Sequence, residues 1–355
     1  LSLTRAPPYA INQDMEMTPR ERVEALLAGR PADRVPFCPA VYEHKAALIG
    51  TTPSRLARDP DLFEQALVRE VEIYRPDMLT VGCDVYNVEA EALGCEVRYP
   101  ETNDVPSISV RRVRPGDDVS RLRVPDPDAA GRMPICLEAG RRARHRFGRD
   151  MIVRGALSAP FSTACELAGA EAVLTALLDD PGWVAGLLAF TAEVAKAYGR
   201  AFAKRGLGVI LFDSHASPPL LSPALYRKIV LPATASVIGY FRRNLGIPLV
   251  PYIIGGDTSV LLDAILETGT NNILCDFRAD LATFVDRLRG TGVLLRANLD
   301  PRLFLAATPA AAAARAREVL AAGRRHPGFI LGTGILPYDT TRESVLAVRA
   351  ALEDA

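Results

Sequence analysis

Apolar residues along this chain fall into two alternating spacings. Eight runs of strand length are almost continuously apolar: VPFCPAVY (35–42), MLTVGCDV (78–85), MIVRGAL (151–157), VILFDSH (209–215), PLVPYII (248–254), NILCDF (272–277), GVLLRANL (292–299) and FILGTGI (329–335). Between them, apolar positions recur every three or four residues, as on one face of a helix. TPRERVEALLAGR, from Thr18, puts Val23, Leu26 and Leu27 on one side, behind a Thr-Pro start with Glu21 three residues on. Asp180-Pro181 opens a helix carrying Val184, Leu187, Leu188, Val194, Tyr198 and Phe202, and Gly206 closes it. Ser222-Pro223 opens another with Leu225, Ile229, Val237 and Phe241 inward, and Pro232 is expected to bend it. Thr308-Pro309 and Gly323 bracket an alanine-rich helix.

Strands apolar on both faces and separated by helices specify a parallel sheet covered on both sides. A count of eight favours one closed (β/α)8 TIM barrel, an α/β fold, over an open doubly wound sheet. Residues 94–113 break the rhythm: GCEVRYP and SISVRRV predict a small β-hairpin inserted after strand 2, followed by the connection VPDPDAAGRMP (124–134). Residues 1–16, LSLTRAPPYAINQDME, show neither period, so they are expected to be a flexible N-terminal arm or an expression remnant. The barrel domain is expected to occupy residues 17–355.

Charge and composition narrow the partners. The 42 basic and 42 acidic residues cancel, so no long-range field favours nucleic acid or an anionic membrane, and a small ligand is the better expectation. The six cysteines, Cys38, Cys83, Cys95, Cys136, Cys165 and Cys275, form no C-x-x-C pair, which argues against a zinc ribbon and a disulfide framework. No stretch reaches the roughly 20 apolar residues of a membrane span and no secretory signal opens the chain, so a reducing, cytoplasmic setting is expected. GxGxxG, P-loop, HExxH and GxSxG patterns are absent from the sequence, which removes the common nucleotide, zincin and serine-hydrolase chemistries.

A TIM barrel places its reacting groups at the C-terminal ends of its strands. Those ends carry Tyr42, Glu43 and His44; Asp84, Tyr86, Asn87 and Glu89; Arg154; Asp213 and His215; Tyr252 and Asp257; Asp276 and Arg278; Asn298 and Asp300; Thr333 and Tyr338. Several have structural readings. Asp257 suits a helix cap, Asn298-Leu-Asp-Pro a turn, His44 a packed or solvated histidine, and Tyr338 packing beside Pro337. If the segment after VILF stays extended, Asp213 and His215 face the same way.

Taken together, TPRERVEALLAGRPADRVPF, GCDVYNVEAEALGCEVRYPE, SAPFSTACELAG, LLSPALYRKIVLP, IIGGDTSVLLDAILETG, ANLDP and GFILGTGILPYDTTRESVLAV resemble the uroporphyrinogen decarboxylase superfamily, and its methyltransferase branch in particular. The resemblance covers nearly the whole chain and implies a barrel. The decarboxylases carry an arginine-rich RQAGR-type segment after the first strand for a polyacidic substrate, whereas this chain reads FCPAVYEHKAALIG. The methylcobamide:coenzyme M methyltransferase branch implies zinc held by a His-x-Cys-Gly turn after strand five and a Cys after strand eight. Here Tyr252 stands at the His position, Ile254 at the first Cys, and a residue near Ile335 at the second.

Zinc turns a thiol, protonated at pH 7 with a pKa of about 8.5, into a bound thiolate. Loss of all three ligands therefore points to an acceptor that is nucleophilic without a metal, such as the N5 amine of tetrahydrofolate. The expected function is metal-independent transfer of a methyl group to tetrahydrofolate, with no zinc. The donor would be a small compound (methyl halide, methoxy compound or methylamine) or a methylated corrinoid protein acting as partner. Tyr252, His215 and Asp213 are the expected catalytic residues, and Asp84, Asn87, Glu89, Asp276 and Asn298 the expected cofactor-binding ones. Two alternatives stand beside this: a decarboxylase of a smaller acid using Arg154 or Arg278, and a non-catalytic corrinoid- or pterin-binding subunit. A homodimer is left open.

Overall fold

A computed structural model of the chain describes residues 16–218 and 220–353; the expected arm lies, apart from Glu16, outside the described residues. The strands are β1 (Phe37–Ala40), β2 (Met78–Val81), β3 (Glu96–Arg98), β4 (Ser107–Val110), β5 (Ile152–Ser158), β6 (Gly208–Phe212), β7 (Pro251–Ile253), β8 (Asn272–Cys275), β9 (Leu294–Leu299) and β10 (Phe329–Ile335). Eight of them form one parallel sheet in the order β1-β10-β9-β8-β7-β6-β5-β2, and each lies within one of the eight apolar runs or one residue beyond it. β3 and β4 pair antiparallel by themselves, as the hairpin expected after strand 2.

The helical punctuation acts as predicted. Thr18 and Glu21 form a reciprocal capping box on helix Pro19–Leu27. The Asp180 side chain accepts from Trp183 N at the head of Pro181–Lys204, whose inward residues from Val184 to Phe202 are buried. Pro232 produces a change of winding. The turn Tyr226–Val230 before it is π-helical, with Leu231 N donating to Tyr226 O. That wider turn accommodates a ring that would otherwise press on the carbonyl four residues back.

The ladder runs from β1 round to β2, and side chains close the seam between those two strands. Asp77 N donates to Phe37 O at 2.8 Å, and Phe37 N donates to the Asp77 carboxylate at 2.6 Å. Lys45 Nζ, fully buried, donates to Thr80 O at 3.1 Å and Gly82 O at 2.9 Å, carbonyls that a neighbouring strand would otherwise satisfy. Its charge is balanced by Glu70 at 3.2 Å.

Among the described residues, no single helix is long and apolar enough to cross a membrane. Two sequence placements need correction. Arg154 is the third residue of β5, deep in the barrel and not at a strand end. The backbone after β6 does not stay extended, because Ser214–Ala216 form a 3-10 turn that sends Asp213 and His215 to different neighbours.

Removing one member of a buried ion pair strands the other and costs about 3–5 kcal/mol, whereas apolar replacement of both can be neutral. Lys45→Met is therefore expected to lower the urea midpoint strongly, and Lys45→Met with Glu70→Leu to recover most of the loss. Equal loss in both variants would contradict the ion-pair assignment.

Candidate active site

The barrel mouth is organised around Asp213, at the end of β6 and fully buried. Its Oδ1 accepts from Ser162 N at 2.8 Å and Ser162 Oγ at 2.7 Å. Ser162 lies in the first turn of helix Pro160–Ala168, whose N-cap, Ala159, supplies no side-chain cap. A carboxylate from the neighbouring strand thus caps that helix, and the helix dipole favours its negative charge. The second oxygen accepts from Tyr252 OH at 2.7 Å, and Tyr226, brought in by the π-turn, donates from its hydroxyl to Tyr252 OH at 3.2 Å. Burial pushes Asp213 up to about 6 against these hydrogen bonds. Burial, reinforced by the Asp213 charge, holds the Tyr252 phenol far above its ordinary range, so it is protonated at neutral pH.

His215 flanks this core. Its backbone N donates to Ser162 Oγ at 3.3 Å, Nε2 lies 3.5 Å from Glu166 Oε1, and its ring meets Tyr86 edge-on at 5.5 Å. Burial, then the Arg111 charge, lowers its pKa, so the imidazole is neutral at pH 7. Nδ1 is buried without a hydrogen-bond partner. Tyr86 has φ +77°, a costly conformation for a bulky residue, and its hydroxyl accepts from Ser214 N at 3.1 Å.

Asp84 is held by Arg132 through two bonds of 2.9 and 3.0 Å, and Asn87 Nδ2 donates to Asp84 Oδ2 at 3.2 Å and to Pro106 O at 2.6 Å. These two residues tie the hairpin to β2. Glu89 accepts from Ser158 N at 2.7 Å, and burial raises it to about 7; Glu43, at the mouth, is raised to about 7 by the same cause. Across the barrel, the Asp276 carboxylate accepts from Arg278 N at 3.2 Å, and Asn298 faces Gly332 with its Oδ1 buried and unpartnered.

Four strand-end residues take structural parts. His44 is buried between Tyr74 OH (2.7 Å) and Tyr338 O (2.9 Å), and Tyr338 OH donates to Thr51 O. Asp257 accepts from Ser259 N and Asp300 from Arg302 N, both shaping turns. Sequence reasoning did not single out Ser162, Tyr226, Glu166, Arg111 or Arg132, whose parts depend on contacts remote in sequence.

The residues present do not fit a zinc ion. Tyr252 is a protonated phenol bound to Asp213, Ile254 lies in the apolar core, and Ile335 points outward at 40% exposure. Among the described residues, no group of three or more His, Cys, Asp or Glu is arranged to hold a metal.

The family described as uroporphyrinogen decarboxylase (URO-D) matches residues 18–354. The chain belongs to that family. Within it, similarity extends to proteins of both chemistries. A methylcobamide:CoM methyltransferase MtbA of Methanosarcina acetivorans is 27% identical over 87% of this chain and 90% of its own length. A uroporphyrinogen decarboxylase of Paraburkholderia phytofirmans is 30% identical over 80% of this chain and 79% of its own. A solved methyltransferase from Methanosarcina mazei superposes with a TM-score of 0.85 at 22% identity, covering 96% of this chain and 99% of that one, so the two share the fold.

A carboxyl raised by burial favours the protonated folded state, so its contribution to stability is full below the ordinary value and is lost as pH rises through the folded one. For Glu89, the rise from 4.5 to about 7 amounts to about 3 kcal/mol. Glu89→Gln keeps an acceptor for Ser158 N. It is expected to match the wild type near pH 4 and to gain on it by up to that amount near pH 8, read by urea denaturation; parallel curves would contradict the assignment.

Proposed function

We propose that this URO-D family member is a methyltransferase that works without zinc and delivers the methyl group to tetrahydrofolate. The observation that carries the reading is the Asp213–Tyr252 hydrogen bond, backed by Tyr226, at the position where the resemblance implies a metal-binding histidine. A phenol held neutral by burial beside a carboxylate is a hydrogen-bond donor and not a ligand for a soft cation. An acceptor served by such a site must already be nucleophilic at neutral pH, as a secondary amine is.

Catalysis then rests on alignment of donor and acceptor in a dry pocket, for in-line displacement at the methyl carbon. His215 is the residue placed to meet a reactant, because its neutral imidazole is 26% exposed while Asp213 and Tyr252 are buried. Tyr252 and Asp213 fix the wall behind it. Glu89, Asp276 and Asn298 offer polar atoms to a pterin ring, while Asp84 and Asn87 hold the rim in shape. A corrinoid protein as methyl donor is consistent with the name of the MtbA relatives.

A decarboxylase acting on a smaller acid is the second reading, and it needs a cation at the mouth. Arg278 is exposed beside the Phe277 ring. In the segment after β1 the one cation is Lys45, buried in the seam. Arg154 lies below the mouth, donating to Thr80 Oγ1 and Cys38 Sγ. These positions favour the methyltransferase.

The test is methyl transfer from methylcobalamin to tetrahydrofolate by the purified chain in excess chelator. Product formation at a rate unchanged by chelator is expected. Transfer to a thiol alone, appearing only when zinc is restored, would contradict the proposal, and carbon dioxide release from a small acid without an acceptor would favour the second reading.

A further inference from the structure

The lumen of a TIM barrel is ordinarily filled by layers of branched apolar side chains. Here it contains two arginines, Arg154 on β5 and Arg296 on β9, exposed by only 2% and 4%. In the strand order, β5 and β9 stand four strands apart, so the two side chains enter from opposite walls. Arg154 Nε donates to Thr80 Oγ1 at 3.1 Å, and its terminal nitrogens meet sulfurs, Met78 Sδ at 3.4 Å and Cys38 Sγ at 3.1 Å. Arg296 donates from one terminal nitrogen to Thr333 O at 3.2 Å, while its Nε is buried without a partner. Among the described residues, neither guanidinium is paired with a carboxylate, although each of the other arginines buried to this degree, Arg22 and Arg132, is.

Burying an ion without a counter-charge is strongly unfavourable, and burying two of one sign close together is more so. Burial and the Arg154 charge both act to lower the pKa of Arg296, which places the two cations within each other's field. Gly332 on β10 makes room for the Arg296 and Asn298 side chains to lie together in the lumen: a Cβ there would come within 2.4 Å of Arg296 Nε and 2.6 Å of Asn298 Oδ1. Asn298 Oδ1 is also buried and unpartnered, and rotating that amide by half a turn presents N–H donors instead.

We infer that the barrel lumen binds one small anion, a halide or a carboxylate, held between Arg154 and Arg296 with Asn298 beside it. The two arginines lie beneath the mouth and take no part in the methyl-transfer reading, which shares only Asn298 with this site, so binding is measured without turnover. A free inorganic ion and the acidic group of an organic ligand share the required chemistry, and the test separates them.

The full chain is stripped of small anions in a buffer of bulky ions, then titrated with sodium chloride or sodium acetate at constant ionic strength. Melting temperature and the line width of chloride nuclear resonance are followed. A saturable rise of several degrees is expected, with the apparent dissociation constant weakened at least about tenfold in Arg296→Met and in Arg154→Met. In anion-free buffer, both variants are expected to melt no lower than the wild type, since each removes an uncompensated cation. Stabilisation and line broadening by chloride would assign an inorganic ion; stabilisation by acetate alone would assign an organic acid group. No saturable effect of either anion on the wild type, or an equal effect on the arginine variants, would overturn the inference. Should one variant fail to fold, the other and the chloride line width of the wild type still decide it.

Discussion

The mouth of this barrel depends on one buried carboxylate. Asp213 links three elements: through Ser162 it caps the helix that follows β5, its own backbone N donates to Ile253 O on β7, and its second oxygen fixes the Tyr252 phenol. Such a group is tolerated in an apolar interior only when its lone pairs are satisfied. Two hydroxyls and one backbone N–H supply that here, at 2.7–2.8 Å. Loss of any one leaves a buried acceptor short of a partner, so the geometry of Ser162, Asp213 and Tyr252 is set as a unit.

That constraint shapes the chemistry available. The phenol cannot turn toward a metal without leaving Asp213 unsatisfied, and Ile254 and Ile335 offer no heteroatom in the side chain. Tyr226 adds a further donor to the phenolic oxygen, which deepens the commitment. Beside this unit the neutral His215 imidazole is 26% exposed, and burial raises the Glu89 and Glu43 carboxyls toward neutrality. On the proposed reading, such a site works by orienting and hydrogen-bonding its reactants.

Much of the fold was legible in the sequence because it depends on local signals. Each barrel strand falls on an apolar run, the hairpin follows β2, and Thr18, Asp180 and Thr308 cap helices where Pro follows them. The site was legible by position only. Asp213 and Tyr252 stand 39 residues apart, and Asp213 and Ser162 stand 51 apart, so no spacing rule joins them. The 3-10 turn at Ser214–Ala216 overrode the extended reading of that segment and gave His215 a neighbour, Glu166, with no local signature. Arg154 misled for a different reason: a cation within an apolar run reads as a strand end, yet alternation turns it into the lumen, where it meets sulfur and its charge acts on Arg296.

The central claim is that hydrocarbon and a bound phenol have replaced a metal site. Metal analysis of the chain, produced in zinc-replete medium and freed of weakly held ions, tests it most directly. The account predicts far less than one zinc per chain, unchanged in Tyr252→Phe, with tetrahydrofolate bound all the same. One tightly held zinc per chain would contradict it.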